Sequence, residues 1–493
     1  MAATIQDALY SSLTSLDVSQ QQINVISNNI ANANTPGYAQ ENQPTSALNS
    51  GGIGSGVLAE PIQRMTNAAA TATANQANGA QSYSQEMVNV LTSYTQVLGQ
   101  ASSNASLPSM ISALSSQLTT LSASPADPTA QNQTVTAAQN VVGTLHSLDT
   151  AVSSAREQAD QGIAAGVDSV NATLKQLASN QTSMQAAAAA GSPVASYQDK
   201  QDQLIASLSK QLPVKVYQNG NNGIIVTTDQ GTSLFDGQVH PLSFTPTSNI
   251  PSSVRVNPNS SLGQSGGLGT VTVNGRPIQM SQNGSIAADL QLRDVTLPGF
   301  SDQLDSVAGN LIKAFQAADP TVSATNPTGL FTNGGAALAA STGTPVAGLA
   351  GTIALNAAVD PTAGGNAALI QAGVHGTVSS STASDNSTVL GYVQALQTTQ
   401  TYPSNTGLPT SMTVSDAAAQ VSGLQQSTLT NWTSLNSDRT MQSQAASTAL
   451  SGATGVNIDD QLQRLMTIQQ TYSASAQVIQ AASTMLNQLI QTV

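Results

Sequence analysis

A Gly-x-Ser-x-Gly pattern is the part of this 493-residue chain that most resembles a catalytic motif. It reads Gly263-Gln264-Ser265-Gly266-Gly267. A nucleophilic serine of this type needs an apolar strand before it and a helix after it. Here Asn257-Pro258-Asn259-Ser260-Ser261 precedes the pattern and another glycine-rich stretch follows. We therefore expect a flexible loop, and a hydrolase would instead require that Ser265→Ala abolish a hydrolytic activity.

The residues that usually bind metals do not cluster in this sequence. His146, His240 and His375 are widely separated, and none has a neighbour at metal-ligand spacing. Cysteine is absent, which excludes disulfides, thiolate metal sites and thiol catalysis. His146 lies among apolar residues of a predicted helix, so we expect a structural role for it. The sequence predicts no metal and no cofactor.

Two further patterns have simpler explanations than catalysis. The glycine-rich stretch 51–56 resembles a phosphate-binding loop, but no Gly-Lys-Ser/Thr element accompanies it and no strand leads into it. We interpret residues 50–56 as a connector. Asp459 and Asp460 lie at the predicted start of the final helix, where carboxylates cap the helix and complement its dipole. We therefore predict that the protein is not an enzyme.

The charge of the chain limits its partners. Only 8% of residues are charged and the formal net charge is -13. Such a chain is a poor partner for nucleic acid or an anionic membrane surface, since both attract basic proteins. We find no apolar run long enough for a membrane span and no basic, apolar leader of the Sec type. If the protein leaves the cell, we expect another export route, and the absence of cysteine suits passage through a channel as an unfolded thread.

The elements that would position any functional residues are most regular at the two ends of the chain. Small or apolar residues recur there every three and four positions, which is the seam of helices that pack against other helices. We predict that the large apolar residues of these seams form a subunit interface. At the front these are Leu9, Leu16, Ile23, Ile26 and Ile30, and at the back Leu465, Ile468, Tyr472, Ile479, Leu486, Leu489 and Val493.

These terminal helices need partners. The first helix contains many serines, threonines and asparagines, each costing about half a kcal/mol relative to alanine, and Ser12 and Ser19 occupy seam positions. Such a helix is largely unfolded alone in water. No charged residue occurs from Val18 to Gln40 or from Leu465 to Val493, which is unusual for solvent-facing helices. We expect both ends to gain a fixed shape in a homopolymer; the alternative is a buried helical hairpin within one globular domain.

The middle of the chain alternates between helical and strand patterns. Asn34-Thr35-Pro36-Gly37-Tyr38 predicts a helix stop followed by a turn. Asp127-Pro128 predicts the start of a long helix running to about residue 190, with possible interruptions at Gly162 and Gly166. Alternating apolar residues between about 212 and 293 predict hairpins, including 214–228 and 271–276. Helices are expected again at about 297–318, 413–450 and from 458 onward.

Together these patterns predict a mainly α, elongated protein with a β-rich portion. The N- and C-terminal helices, 1–38 and 456–493, should pair as a coiled-coil assembly domain. Residues 39–320 and 386–455 should form a helical-bundle body with β-hairpins. The Gly/Ala/Thr-rich segment 321–385 should contain loops and weak strands and form a reduced outer segment.

Several segments resemble the flagellar axial proteins, the group of rod, hook and hook-associated proteins. The N-terminal run from Ser27 to Tyr38, Ser-Asn-Asn-Ile-Ala-Asn-Ala-Asn-Thr-Pro-Gly-Tyr, is similar to the signature of that group. The C-terminal Gly455-Val456-Asn457, followed by the run from Gln469 to Gln477, resembles the hook-associated protein 1 family. Asp127-Pro128 and the run from Tyr197 to Leu204 are similar to the middle of that family. The likeness covers most of residues 1–250 and 297–493.

The resemblance implies a structural role at the junction between flagellar hook and filament. It implies export through the flagellar type III apparatus and terminal helices that order on assembly into a ring or tube of copies. The implied partners are the hook protein, a second junction protein or the flagellin side, and an export chaperone that binds the C-terminal helix. The turn motif Asn32, Asn34, Thr35, Pro36, Gly37 and Tyr38 would set the angle between the assembling helix and the body.

Two alternatives remain at this point. One is another axial component, such as a hook or distal rod protein, against which the chain length and the C-terminal run weigh. The other is a secreted adhesin whose Gly/Ala/Thr-rich middle carries the function. The adhesin predicts a β-dominated protein, whereas the patterns above predict helix.

Overall fold

A computed structural model of the chain describes residues 2–50, 53–100, 103–220, 223–255, 268–338 and 345–491. Long helices dominate the described residues, as the sequence predicted. The helices are α1 (Ala2–Asn32), α2 (Ala68–Leu98), α3 (Leu107–Ala123), α4 (Pro128–Ala189), α5 (Ala195–Gln211), α6 (Ser285–Gln291), α7 (Leu297–Ala318), α8 (Leu349–Thr352), α9 (Leu369–Ala372), α10 (Ser387–Gln397), α11 (Val414–Thr454) and α12 (Ile458–Gln491). A turn of π-helix, Leu292–Thr296, joins α6 to α7.

The strands are short and pair antiparallel. They are β1 (Glu41–Asn42), β2 (Thr45–Ser50), β3 (Ile53–Ala59), β4 (Gln63–Arg64), β5 (Val214–Gln218), β6 (Ile224–Thr228), β7 (Ser233–Phe235), β8 (Leu242–Ser243), β9 (Thr272–Val273), β10 (Arg276–Pro277), β11 (Phe331–Asn333), β12 (Ile353–Leu355), β13 (Gln400–Thr401) and β14 (Ser411–Met412). The described sheets have the orders β1-β4, β2-β3, β5-β6-β7, β10-β9-β8, β11-β12 and β13-β14. The predicted fold class, mainly α with β-hairpins, is confirmed.

The hairpins follow their turn residues. β5 and β6 pair with Val214 opposite Thr228, as the alternation predicted. β9 and β10 are joined by Asn274 and Gly275, whose φ angles are 50° and 75°. Positive φ at both central residues matches the twist of a two-residue hairpin, and Asn-Gly adopts it at low cost. The strand region ends at Pro277, because Ser285 begins a helix, so it is shorter than the predicted 212–293.

Two local expectations were wrong. Residues 50–56 are predicted above to be a connector, but Ser50 ends β2 and Ile53–Ala59 is β3, which pairs with β2 in a hairpin whose register places Thr45 opposite Ala59. Helix α4 continues through Gly162 and Gly166 without a break. Around these glycines the apolar residues Ala159, Ile163, Val167 and Val170 recur at helical spacing and are buried, so packing outweighs the low helix propensity of glycine.

The described residues form two compact units. One comprises residues 82–169 and 242–438, with a single hydrophobic core built on α3, α7, α10 and parts of α2, α4 and α11. Phe315 lies at the centre of this core, edge-on to Phe331 and 5.1 Å from the ring of Tyr392. The segment predicted as loops and weak strands contributes β11, β12, α8 and α9 to this unit.

The other unit comprises residues up to 81, 170–241 and 439 onward. It contains the terminal helices α1 and α12, the hairpin β2-β3, helix α5 and the sheet β5-β6-β7. Helix α1 packs against α12 and against β3, so the predicted pairing of the two ends of the chain is confirmed. The domain boundaries given above as 1–38 with 456–493 remain predictions.

Candidate assembly site

Helices α1 and α12 run antiparallel, and two side-chain hydrogen bonds fix their register. Ser475 Oγ donates to Ser15 Oγ over 3.0 Å, and Asn29 Nδ2 donates to Gln461 Oε1 over 3.1 Å. The two bonds are fourteen residues apart on each helix, which is two heptads. Two polar pairs separated by a heptad interval specify one register, because any slip of one helix along the other breaks both bonds.

The predicted seam residues lie between these helices to different degrees. Ile26 is buried, whereas Leu9, Leu16, Ile23 and Ile30 are half-buried. On α12 the half-buried residues are Leu465, Ile468, Ile479 and Leu486, and Tyr472 is 40% exposed. The side chain of Leu489 and the whole of Val493 lie outside the described residues. Their role at a subunit interface stays a prediction.

The helix pair leaves large apolar side chains in solvent outside the seam. On α1 these include Tyr10 and Leu13, and on α12 they include Leu462, Met466 and Met485. Leu13 and Met466 are each 61% exposed. Among the described side chains of α12, those classed as buried are Gln461 and Ala482. Pairing α1 with α12 therefore covers one stripe of each helix and leaves an apolar surface of the kind that marks interaction sites.

The turn after α1 has the geometry that its sequence demands. Tyr38 N donates to Thr35 O over 3.1 Å, and Gly37 at the third position has a φ of 79°. This is a type II turn, in which proline suits the second position and glycine the third. The predicted helix stop and turn are confirmed: α1 ends at Asn32, whose carbonyl accepts from Thr35 N over 2.8 Å. Asn34 is exposed beside the turn.

The turn lies on helix α5, a contact that sequence reasoning missed. Gln203 Nε2 donates to Pro36 O over 3.0 Å, and Ala39 N donates to Asp199 Oδ1 over 3.4 Å. A Cβ atom added to Gly37 would lie 2.9 Å from Gln203 Cγ, so glycine is required here for space as well as for its φ angle. The run Tyr197–Leu204 is therefore the part of α5 against which the N-terminal turn packs.

Arg64 links helix α5 to strand β4, which pairs with β1, the strand that follows the turn. Arg64 of β4 lies 2.6 Å from Asp199 and 2.8 Å from Asp202, and its side chain is 7% exposed. Its strand pairs with β1, which places Glu41 opposite Arg64. Burial raises the pKa of Asp199, and Arg64 opposes this rise. Burial likewise raises the pKa of Glu41, and the nearby Asp199 carboxylate adds to it. One arginine thus compensates several carboxylates at this site.

Asn29 is the second residue that sequence reasoning missed. In the described part of the chain its amide makes four hydrogen bonds: Nδ2 donates to Glu41 O over 2.8 Å and to Gln461 Oε1 over 3.1 Å, and Oδ1 accepts from Glu41 N and from Tyr38 Oη, each over 2.9 Å. The residue is 1% exposed. Burial, with the carboxylates of Glu41 and Asp199, raises the pKa of Tyr38, which therefore stays a hydrogen-bond donor. We call these residues (Asn29, Tyr38, Glu41 and Gln461) the Asn29 hub.

The residues weighed for catalysis have structural contacts where they are described. His146 Nε2 lies 2.6 Å from Ile353 O, and His240 Nε2 lies 3.0 Å from Asp236 Oδ2. Within the described ranges no group of three His, Cys, Asp or Glu residues is arranged to hold a metal ion. The Ser265 pattern falls in 256–267, outside the described residues. No helix in the described part of the chain is long and apolar enough to cross a membrane.

Comparisons with known proteins agree with this arrangement. Residues 91–321 match the helical domain of flagellar hook-associated protein FlgK. Residues 9–38 match the flagella basal body rod protein family, and residues 450–492 match the C-terminal part of flagellar basal body rod FlgEFG proteins. The chain is 27% identical over 327 residues to flagellar hook-associated protein 1 of Escherichia coli (strain K12), covering 64% of this chain and 56% of the relative.

The chain contains a segment that matches the FlgK helical domain and is similar in sequence to flagellar hook-associated protein 1. Flagellar hook-associated protein 1 of Salmonella typhimurium is 28% identical over 253 residues, covering 50% of this chain and 45% of the relative. The chain thus spans about half the length of the curated relatives it matches. The solved structure of the flagellar hook junction protein FlgK from Burkholderia pseudomallei gives a TM-score of 0.43 at 18% identity, covering 54% of this chain and 47% of that one.

The three matched segments of this chain meet near the turn. Asn29 and Gly37 belong to the rod-type segment, Asp199 to the FlgK helical domain, and Gln461 to the C-terminal segment. The hydrogen bonds described above connect all three. The signature residues at the two ends of the chain therefore form one structural site together with a helix from the middle.

Proposed function

We propose that this chain is a FlgK-type structural subunit of the bacterial flagellum at the junction between hook and filament. It self-assembles through α1 and α12 into a ring or tube after type III export, and it has no catalytic activity. The proposal depends on one observation: two helices that carry no charged residue over 18–32 and 465–491 pair along one stripe and leave a second apolar surface exposed. Neighbouring copies would bury that surface and so compensate the weak helix propensity of the sequence.

The proposed partners follow from this surface and from the family. Copies of the chain contact one another through the seam residues and through the exposed residues such as Met466. The hook protein lies on one side of the ring, and a second junction protein or flagellin on the other. An export chaperone covers α12 before secretion, because a helix with so much exposed apolar surface needs protection in the cell. Neither nucleic acid nor membrane insertion is part of the proposal.

The same proposal assigns a separate role to each segment of the chain. Residues 1–38 and 456–493 form the assembly domain, and residues 39–320 with 386–455 form the body. Residues 321–385 form a reduced outer segment. The terminal helices α1 and α12 are the parts that gain order on assembly.

Removal of residues 486–493 tests the assembly role. We expect the truncated protein to keep a folded body, seen as native amide-exchange protection of α3 and α7, and to be absent from flagella. A finer pair of variants is Met466→Ser and Val378→Ser, since both side chains are at least half exposed but only Met466 lies on a terminal helix. Met466→Ser should reduce incorporation and Val378→Ser should not. Normal filaments on the truncated protein would contradict the proposal.

Immunolabelling of isolated flagella separates this function from that of a hook or distal rod protein. Label confined to the point where hook meets filament supports the junction, whereas label along the hook or the rod supports the other axial component. The mainly helical structure already disfavours the β-rich adhesin.

A further inference from the structure

Two fully buried arginines join helix α4 to the π-helical turn in the unit formed by residues 82–169 and 242–438. Arg293 Nη1 donates to Asp160 Oδ1 over 2.6 Å, and its Nε and Nη2 donate to the two carboxylate oxygens of Asp294 over 2.7 and 2.9 Å. Arg156 Nε donates to Arg293 O over 3.0 Å. All four residues are at most 5% exposed. We call Arg156, Asp160, Arg293 and Asp294 the buried ionic network.

The network holds the part of the chain that carries β8, β9 and β10. We call residues 242–255 and 268–278 the strand segment. Three bonds each join a network side chain to a backbone atom of this segment: Asp160 Oδ2 accepts from Thr247 N over 2.6 Å, Arg156 Nη1 donates to Pro251 O over 3.1 Å, and Arg293 Nη1 donates to Gly269 O over 3.0 Å. The strand segment therefore contacts α4 and the π-helical turn through buried charged groups.

Within the described residues, the main hydrophobic core of this unit does not extend into the strand segment. The buried apolar residues of the segment that lie outside that core are Leu242, Ile250, Leu268, Val271, Val273 and Ile278. By contrast, Ala287 and Ala288 of α6 and Leu292 of the π-helical turn belong to the core. Apolar packing thus unites α3, α7 and α10, whereas charged groups attach the strand segment to them.

The network holds the segment less strongly than an apolar contact of the same size would. Arg156 Nη2 is buried and has no hydrogen-bond partner among the described residues. Burial lowers the pKa of Arg156 to about 10, so its guanidinium is still charged at neutral pH. Removing charges from water costs much of what their mutual attraction returns, whereas apolar burial is the dominant favourable contribution to folding.

We propose that the strand segment opens separately from the rest of its unit, leaving α4 and the π-helical turn while the core of α3, α7 and α10 stays folded. The buried ionic network is the latch of this movement. Opening returns the charged groups to water and exposes none of the main core, so it requires less free energy than unfolding of the unit. The movement is a property of the free chain and does not depend on the flagellar role proposed above.

Peptide-resolved amide exchange on the full-length chain tests this independence. The strand segment should exchange by local opening, so its protection should be at least about tenfold lower than that of α3, which exchanges when the core unfolds. Ile111→Val in α3 removes a buried methylene group and weakens the core whether the segment is closed or open. It should lower the protection of α3 by about two- to tenfold and leave the protection of the strand segment unchanged.

Arg293→Met breaks the latch and should have a different effect. It leaves the Asp160 and Asp294 carboxylates without their cation in the closed state only, so protection of the strand segment should fall by about a hundredfold or more. If Arg293→Met does not fold, Asp160→Asn serves instead, because it removes one charge at nearly constant shape. Asp168→Asn is its matched control, since Asp168 is an exposed aspartate of the same helix, and it should leave protection unchanged.

Three results overturn the proposal. Equal protection of the strand segment and α3 in the parent protein shows that they unfold as one unit. A fall of both by the same factor in Ile111→Val shows the same. Unchanged protection of the strand segment in Arg293→Met, or in Asp160→Asn, shows that the network is not the latch. Immunolabelling decides the flagellar location separately, so either proposal can fail while the other stands.

Discussion

Replacing Gly37 by alanine separates two reasons for glycine in the turn. The first reason is its φ of 79°, since an L-residue in the left-handed region costs about 1–2 kcal/mol. The second is the 2.9 Å approach of the new Cβ to Gln203 Cγ. Moving Gln203 away sacrifices its 3.0 Å hydrogen bond to Pro36 O, worth about 1 kcal/mol net. Gly37→Ala should therefore cost about 2–3 kcal/mol of local stability.

Gly191 provides a matched control within the same unit. It follows α4 with a φ of 72°, and nothing lies within 4 Å of an added Cβ. Gly191→Ala should incur only the backbone cost of about 1–2 kcal/mol. Peptide-resolved amide exchange over 195–211 measures the local opening free energy near the turn. There Gly37→Ala should lower protection by about thirtyfold or more, and Gly191→Ala should lower it less, by no more than its backbone cost.

A double substitution tests the steric part directly. In a Gln203→Ala background the neighbour that Cβ approaches is gone, so the added cost of Gly37→Ala should fall to the backbone cost alone. The reasoning is refuted if Gly37→Ala costs the same with and without the Gln203 side chain. It is also refuted if the 195–211 protection does not respond to Gly37→Ala.

Three other outcomes are expected. Arg64→Met should cost about 3 kcal/mol because it leaves the Asp199 carboxylate buried and uncompensated, and most of this should return in Arg64→Met/Asp199→Asn, measured by the same exchange experiment. Burial raises the pKa of Asp289 to about 9, so the folded protein binds a proton more tightly than the unfolded chain does. The stabilisation of the folded state by this proton is fully present below the ordinary pKa of 3.8, and it is lost as pH rises through about 9. Denaturant titrations between pH 4 and 9 should show this decline, and Asp289→Asn should flatten it. Gly162→Ala should destabilise α4, since its Cβ would meet Asp289 Oδ2, whereas Gly143→Ala in the same helix, with open space, should stabilise it by about 0.5–1 kcal/mol in thermal unfolding.

Local patterns in the sequence were sufficient to predict most helices, the turn, and the pairing of the two ends of the chain. The heptad spacing of Leu9, Leu16, Ile23 and Ile30 places them on one face of any helix, so pairing of α1 was foreseeable. Pro36 and Gly37 restrict their own φ angles, so the turn followed from residue type alone. The Asn274-Gly275 hairpin followed for the same reason.

The sequence did not predict features that depend on a residue or strand elsewhere in the chain. Nothing in the composition of α4 shows that Gly162 lies against Asp289 in a continuous helix, so its glycines were read as possible breaks. The glycine-rich start of β3, residues 53–56, has few side chains to show an alternating pattern, so its strand character depended on pairing with β2. Asp199 and Arg64 are 135 residues apart and gave no spacing signal of an ion pair.

By itself the sequence determined the helices, the turn and the apolar seams, because helix propensity, turn preference and side-chain periodicity act within a few residues. Only the tertiary structure decided which helix receives the turn, and it made Asn29 the shared partner of three segments. The physical reason is that a buried amide is satisfied by whichever groups the fold brings within about 3 Å, and those groups lie twelve and 432 residues away along the chain.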